Sequence, residues 1–85
     1  MSYRITIARE AAKTFRKLHP QVAARLKDAI KALADDPRPP GSLQLSGGNG
    51  ERRIRVADYR VIYDVIDDEL LVLVLRIGHR RDVYR

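Results

Sequence analysis

Arginines alternate with apolar residues in the stretch RRIRVADYRVIYDV, which begins at residue 52. If Ala57 and Asp58 form a two-residue turn, the flanking segments pair as a hairpin in which Arg55 faces Arg60. Arg53 falls on the same side as these two arginines. Guanidinium groups bind phosphate through two parallel hydrogen bonds and keep their charge at neutral pH. The pattern therefore predicts an anion-binding face, and the alternative is a solvated sheet surface that happens to carry arginines.

The agreement between the two segments supports this register. A shift of one residue would move every side chain to the opposite face, and here both segments place their apolar residues on the same side. Like charges that face each other destabilise a strand pair by some tenths of a kcal/mol. Such a pair is expected where an anion binds to the two side chains. Arg60 is expected to be exposed. The facing pairs are Val56 and Tyr59, Arg55 and Arg60, Ile54 and Val61, and Arg53 and Ile62.

A third apolar segment, LLVLVLRI, leads into GHRRDVYR. A three-residue turn before it would put Leu71, Leu73, Leu75 and Ile77 on the core face and Arg76 beside Arg60, whereas a two-residue turn would exchange these faces. In either case the chain is expected to bring its basic and aromatic tail close to the arginines. An aromatic ring beside clustered arginines suits single-stranded RNA, with hydrophobic anchoring of the tail as the alternative for Tyr84. The tail residues in question are His79, Arg80, Arg81 and Tyr84.

The rest of the sequence supplies the elements that hold this face. Apolar residues at helical spacing predict a helical hairpin, which His19-Pro20 interrupts. Leu43 and Leu45 indicate a short extended piece within a loop. The elements are a strand at 3–7, the two helices, and strands at about 51–57, 59–66 and 70–78. This order predicts an α+β fold with an N-terminal strand, a helical hairpin and then a three-stranded antiparallel meander, the helices packing on one face of a mostly antiparallel sheet.

The composition sets limits on partners and cofactors. The 85 residues suffice for one domain, 1–85, and the net charge of +6 favours an anionic partner. The absence of cysteine excludes thiolate metal sites and fits a reducing cytoplasm. No apolar run reaches the roughly 20 residues of a membrane span, and no signal peptide is indicated.

The combination of RIRVADYRVIYDV, an acidic turn, an apolar strand and GHRRDVY resembles the RelE-type toxins of the RelE/ParE superfamily, over nearly the whole chain. These proteins are the toxins of bacterial type II toxin–antitoxin pairs. The resemblance implies a RelE-like fold and a ribosome-dependent endoribonuclease that cuts mRNA in the ribosomal A site. The 2′-hydroxyl attacks the adjacent phosphorus, and no metal or cofactor is needed. It also implies a heteromeric complex with a cognate RelB-like antitoxin, contact with the ribosome and mRNA, a cytoplasmic location and no membrane partner.

The resemblance assigns roles to individual residues. Arg55 and Arg60 are expected to clamp the phosphate, Arg80 to act on the leaving group, and Tyr84 to stack on a base. The family's basic strand positions fall on Arg53 and Arg55. Further RNA-binding residues are expected to be Arg52, Arg53, Arg76 and Arg81. Arg52 stands where relatives often carry an aromatic residue, and both strand positions are arginine rather than lysine.

The general base is left open by the sequence. Arginine stays protonated near neutral pH, so Arg55 is a poor base. His79 is the preferred candidate because histidine exchanges protons near neutral pH, with an exposed turn histidine as the alternative. Glu51 and Asp82 are weaker candidates. His19 precedes a proline at a helix end, where a structural role is expected.

Two other functions are compatible with these residues. A ParE-like toxin would use the same fold to inhibit DNA gyrase without cutting RNA. A non-catalytic RNA-binding module would keep the arginine face but would need neither His79 nor Arg80.

Overall fold

The computed structural model describes residues 2–45 and 50–79 of the chain. Its elements are β1 (Arg4–Ile7), α1 (Arg9–Arg16), α2 (Pro20–Ala32), β2 (Leu43–Gln44), β3 (Arg52–Val56), β4 (Tyr59–Ile66), a 3₁₀ turn (Asp67–Glu69) and β5 (Leu71–His79). The sheet order is β1-β5-β4-β3-β2, with β1 parallel to β5 and all other pairs antiparallel. The predicted α+β class is confirmed. The short β2 extends the predicted meander by one strand, and it begins at the leucine where the sequence indicated an extended piece.

The two helices pack on one face of this sheet. Ala11 of α1 and Leu26 and Ile30 of α2 are buried in the same cluster as Val61 and Val74 of the sheet. The break between the two helices lies at His19-Pro20, as predicted. The imidazole Nδ1 of His19 accepts a hydrogen bond from the backbone N–H of Gln21 at 3.2 Å and thereby caps the N-terminus of α2. The structural role expected for His19 is therefore confirmed. None of the described helices is long and apolar enough to cross a membrane.

Tyr63 joins the loop after α2 to the sheet. Its ring is 0% exposed, and its hydroxyl donates a hydrogen bond to the backbone carbonyl of Pro37 at 2.7 Å. Burial raises the pKa of the Tyr63 phenol above its ordinary value. Arg52, which faces Tyr63 across the β3–β4 pair, donates to the Ser42 hydroxyl at 2.8 Å. The two side chains thus fix the loop that leads into β2.

A surface network joins β1 to the 3₁₀ turn. Arg38 donates to both carboxylate oxygens of Asp67, at 3.3 and 2.9 Å, and the Tyr3 hydroxyl donates to the same carboxylate at 2.7 Å. The Arg38 hydrogen bonds, followed by that of Tyr3, lower the pKa of Asp67. Because the Arg38 and Asp67 side chains are 46% and 55% exposed, water screens the pair and its contribution to stability is small.

A β-bulge in β5 determines which side chains reach each face of the sheet. Ile62 pairs with Arg76, but the next residue, Tyr63, pairs with Val74, so Leu75 has no partner in the ladder. An extra residue on one strand reverses the alternation of its side chains beyond that point. Arg76 therefore lies on the same side of the sheet as Ile62, opposite to the core residue Ile77.

The bulge also corrects the prediction for this strand. Val72 and Val74 are buried before the bulge and Ile77 is buried after it. Neither turn length that the sequence allowed describes the whole strand, because both assumed unbroken alternation. Of the four residues predicted to share the core face after a three-residue turn, Ile77 is in the core cluster, whereas the others are not: Leu71, Leu73 and Leu75.

Candidate functional site

Four arginines lie on the side of the sheet that faces away from the helices. The register pairs Arg55 with Arg60, Arg53 with Ile62, and Ile62 with Arg76. Side chains that face each other in adjacent strands lie about 5 Å apart at their β-carbons and share a face. We call this surface the arginine face: Arg53, Arg55, Arg60 and Arg76. All four facing pairs predicted for the hairpin are present.

The turn between β3 and β4 fixes this arrangement. Ala57 and Asp58 form the two-residue connection that the sequence predicted, and Ala57 has a φ of 55°. A two-residue turn leaves no freedom for the strands to slip, so it sets the register of the arginines together with the apolar pairs on the other face.

The arginines differ in their surroundings. Arg55 and Arg76 are exposed, and neither makes a hydrogen bond or an ion pair with another described residue. Arg60 is only 9% exposed, so the expectation that it is exposed is wrong. It lies in β4, the central strand of the sheet, between its partners Arg55 on β3 and Gly78 on β5. Arg55 and Arg76 are thus accessible to an anion, whereas Arg60 on the same face is buried.

Arg52 does not belong to the arginine face. It shares a face with Tyr63 and donates a hydrogen bond to Ser42, so it helps to fix the loop before β2, and its role in RNA binding stays a prediction. The physical reason for its position is strand alternation, because Arg52 is one residue removed from Arg53 and must point to the other side of the sheet.

His79 also lies on the other side. It pairs with Tyr59, and the two rings meet edge to face with centroids 5.5 Å apart and planes at 83°. Gly78 is the residue that pairs with Arg60. The expectation that His79 would lie near the arginine face is therefore wrong, because β5 continues through His79 and its alternation turns the imidazole towards Tyr59. Its role as a base stays a prediction.

The remaining tail residues of the predicted site lie outside the described residues. The roles of Arg80, Arg81 and Tyr84, and of Asp82 as a weaker candidate base, stay predictions.

A cavity of about 580 Å³ opens beside Arg76. Ile62 and Leu75 provide apolar lining, and Glu10 and Glu51 bring carboxylates to it. Sequence reasoning missed this cavity because it depends on the bulge and on the approach of α1 to β5. The sequence contained one indication that Glu51 lies at this site: Glu51 is two residues before Arg53 and therefore shares its side of the extended chain. No group of three or more metal-ligating side chains occurs in the part of the chain that the structure describes.

Comparisons with known proteins agree with this fold. Residues 5–84 match the family model described as the ParE toxin of type II toxin–antitoxin system, parDE. A putative RelE-like toxin protein from Escherichia coli is 30% identical, with 99% of this chain and 92% of the relative covered. The mRNA interferase toxin RelE of Escherichia coli K12 is also 30% identical, over 94% of this chain and 85% of the relative. The RelE–RelB complex of Pyrococcus horikoshii contains a chain with a TM-score of 0.85 at 26% identity, covering 96% of this chain and 99% of that one.

A small α+β domain with a helical hairpin on one face of the sheet and arginines on the other, matched in this way, is a toxin of a type II toxin–antitoxin system. The chain belongs to the RelE/ParE superfamily of these toxins. The resemblance that the sequence indicated is confirmed.

Proposed function

We propose that this protein is a ribosome-dependent endoribonuclease that cuts mRNA. The observation that carries the proposal is the pair of facing guanidiniums, Arg55 and Arg60, flanked by Arg53 and Arg76 on the same face. The similar Escherichia coli protein named mRNA interferase toxin RelE supports it. Clustered cations with fixed positions bind a phosphodiester and stabilise the negative charge that gathers on it in the transition state.

The chemistry is an internal transfer at phosphorus. The 2′-oxygen forms a bond to the adjacent phosphorus while the bond from phosphorus to the 5′-oxygen breaks, which leaves a 2′,3′-cyclic phosphate and a 5′-hydroxyl. Arg55 and Arg60 hold the non-bridging oxygens. The 2′-hydroxyl proton goes to a base, and the leaving 5′-oxygen takes a proton from water while the charge of Arg80 stabilises the negative charge that develops on it. Tyr84 stacks on a neighbouring base.

Glu51 is the base that the geometry favours among the described residues. It is half-buried and shares a cavity with Arg76 on the arginine face, whereas His79 points to the other side of the sheet. A carboxylate is a weak base near neutral pH. The enzyme therefore depends on the ribosome to hold the 2′-oxygen in line with the bond that breaks, because such positioning lowers the barrier substantially.

A RelB-like antitoxin is the proposed protein partner. The similar chain from Pyrococcus horikoshii was solved in a RelE–RelB complex. Here the two exposed large apolar side chains of the described residues, Ile7 at 40% and Leu43 at 54%, lie on β1 and β2, the two edge strands of the sheet. Edge strands with exposed apolar side chains can accept an added chain segment. The result is a heteromeric complex, and action on ribosomes places the toxin in the cytoplasm.

Inhibition of DNA gyrase is the second candidate function, because the matching family model is named for ParE. A gyrase inhibitor has no need of a phosphate clamp. A non-catalytic RNA-binding module would use the clamp without cutting, and the same experiment separates all three.

The experiment measures mRNA cleavage on programmed ribosomes and gyrase supercoiling with the same purified protein. We expect cleavage on ribosomes, much slower cleavage of naked mRNA, and unchanged supercoiling. Arg55→Gln should reduce cleavage about 10²- to 10³-fold, as the loss of one transition-state donor does. Arg4→Gln is the matched control, since Arg4 is an exposed strand arginine in β1, beside Leu71 at the far end of the sheet. Gyrase inhibition without cleavage would replace the proposal with the ParE-like function, and ribosome binding without either activity would indicate a binding module.

A further inference from the structure

A cavity of about 420 Å³ opens between helix α1 and the end of β5. Strand β1 pairs with β5 only as far as Val74, where the backbone N–H of Ala8 donates to the Val74 carbonyl at 2.8 Å. The chain then turns into α1, while β5 continues to His79. In the part of the chain that the structure describes, no strand therefore lies beside β5 on this edge from Leu75 onwards. We call the space between this end of β5 and the helix the edge cavity.

The walls of the edge cavity suit a flat aromatic group. Leu18 of α1 and Ile77 of β5 supply apolar surface, and the rings of Tyr59 and His79, which meet edge to face, line it as well. Nucleobases stack on aromatic rings and pack against apolar side chains. The proposed chemistry uses none of these four side chains, so the cavity is free to serve a different part of the substrate.

Arg76 connects the edge cavity to the arginine face. Its side chain lines both the edge cavity and the cavity that contains Glu51. Arg76 is exposed and makes no hydrogen bond or ion pair with another described residue, so a phosphate can reach it. Lys17 brings a second cation to the edge cavity, which outweighs the negative charge of Glu10 there. An RNA strand held on the arginine face can therefore continue past Arg76 and place its next base in the edge cavity.

We propose that the edge cavity binds a nucleobase of the substrate strand that carries an exocyclic amino group, and that Glu10 selects this base; the inference rests on the proposed function. Glu10 is exposed, and its carboxylate makes no hydrogen bond or ion pair with another described residue. The Thr14 hydroxyl donates to the backbone carbonyl of Glu10 at 3.3 Å, so its oxygen is left as an acceptor. An ionised carboxylate also only accepts. Cytosine has an amino donor at N4 where uracil has an oxygen acceptor, so these two side chains favour cytosine over uracil.

The test measures binding of oligonucleotides that the protein cannot cut. Short RNAs made only of cytidine or only of uridine, 2′-O-methylated throughout, lack the attacking hydroxyl, and each presents the same base in every register. Their affinities for the whole chain are measured by fluorescence anisotropy. We expect about 10-fold tighter binding of the cytidine oligonucleotide, as one hydrogen bond to a charged acceptor supplies.

Glu10→Gln should reduce this preference to about 2-fold or less, because an amide offers a donor as well as an acceptor. The matched control is Glu69→Gln, at an exposed position of the 3₁₀ turn that lines neither cavity. This control should keep the preference of the wild type.

Thr14→Met locates the base, because Glu10 lines both cavities whereas Thr14 lines only the edge cavity of the two. The longer side chain occupies the cavity, and methionine favours the helix more than threonine does. Affinity for the cytidine oligonucleotide should fall at least about 5-fold, which is the loss of one stacked base. Thr6→Met, at an exposed position of β1, is the matched control.

A preference for cytidine that Glu10→Gln removes and Glu69→Gln keeps, together with a larger loss in Thr14→Met than in Thr6→Met, supports the inference. The same result with a protein that cuts no mRNA on ribosomes refutes the proposed activity and leaves the base site standing. The inference is overturned by a wild-type protein without the preference, by a preference that survives Glu10→Gln, or by an unchanged affinity in Thr14→Met. A protein that binds neither oligonucleotide overturns it as well.

Discussion

The facing arginines predict that one substitution will raise stability while it removes activity. Arg55 is exposed, makes no hydrogen bond or ion pair with another described residue, and faces Arg60 across the β3–β4 pair. Its replacement by glutamine therefore removes a repulsion and no bond within the described structure. Facing like charges in a sheet destabilise it by some tenths of a kcal/mol.

The magnitude follows from this repulsion and from the size of the domain. A gain of about 0.2–0.5 kcal/mol in the free energy of unfolding should raise the Tm by roughly 1–4 °C, because 1 kcal/mol shifts a domain of this size by about 4–8 °C. The same substitution should lower ribosome-dependent cleavage about 10²- to 10³-fold. The gain in stability should shrink at 1 M salt, where charges are screened beyond about 3 Å.

The assay combines thermal unfolding of Arg55→Gln and of the control Arg4→Gln with cleavage on programmed ribosomes. Arg4→Gln should leave the Tm nearly unchanged, because Arg4 pairs with Leu71 and faces no cation across that pair. An Arg55→Gln protein that is less stable than wild type by 1 kcal/mol or more would refute the reasoning, since Arg55 would then be a structural residue. Full cleavage by a well-folded Arg55→Gln protein would refute the assignment of the clamp.

Three further predictions concern other parts of the molecule. Tyr63→Phe removes the hydrogen bond to the Pro37 carbonyl within a buried site and should lower the free energy of unfolding by about 1–3 kcal/mol in urea denaturation; a change within 0.3 kcal/mol would contradict this role. The pKa of Asp67 is lowered below 3.8 by Arg38, so its contribution is present at neutral pH and is lost as the pH falls through the lowered pKa; the unfolding midpoint of Asp67→Asn should therefore depend less on pH in acid than that of wild type. The cleavage rate of His79→Gln should fall at acid pH as the wild-type rate does, since the imidazole faces away from the arginine face; a rate that no longer falls at acid pH would make His79 the base.

The hairpin could be predicted from the sequence because two independent signals agreed. The two-residue turn and the apolar residues of both strands require the same register, and the structure has the facing pair Arg55 and Arg60 that follows from it. The burial of Arg60 could not be predicted in this way, since it depends on which strand is central in the sheet. Pairing rules describe adjacent strands, whereas burial depends on the whole sheet.

The position of His79 was missed for a related reason. The third strand was expected to end at residue 78, but β5 extends to His79, whose ring meets Tyr59. One additional strand residue decides which face a side chain takes, and strand ends are weakly specified by composition. The segment LLVLVLRI gave no further help, because an unbroken apolar run contains no alternation from which a bulge could be detected.

That bulge couples the stability of the domain to the composition of its site. Continued alternation from the Tyr63–Val74 pair would place Leu75 opposite Ile62 and Arg76 opposite Val61. The guanidinium would then point into the core, where an unpaired charge is strongly unfavourable, and the next apolar residue would be exposed. The extra residue at position 75 removes both penalties and places Arg76 on the arginine face. The fourth arginine of the face is thus placed by the same backbone irregularity that keeps the core apolar, so a change that straightens β5 should disturb both folding and RNA binding.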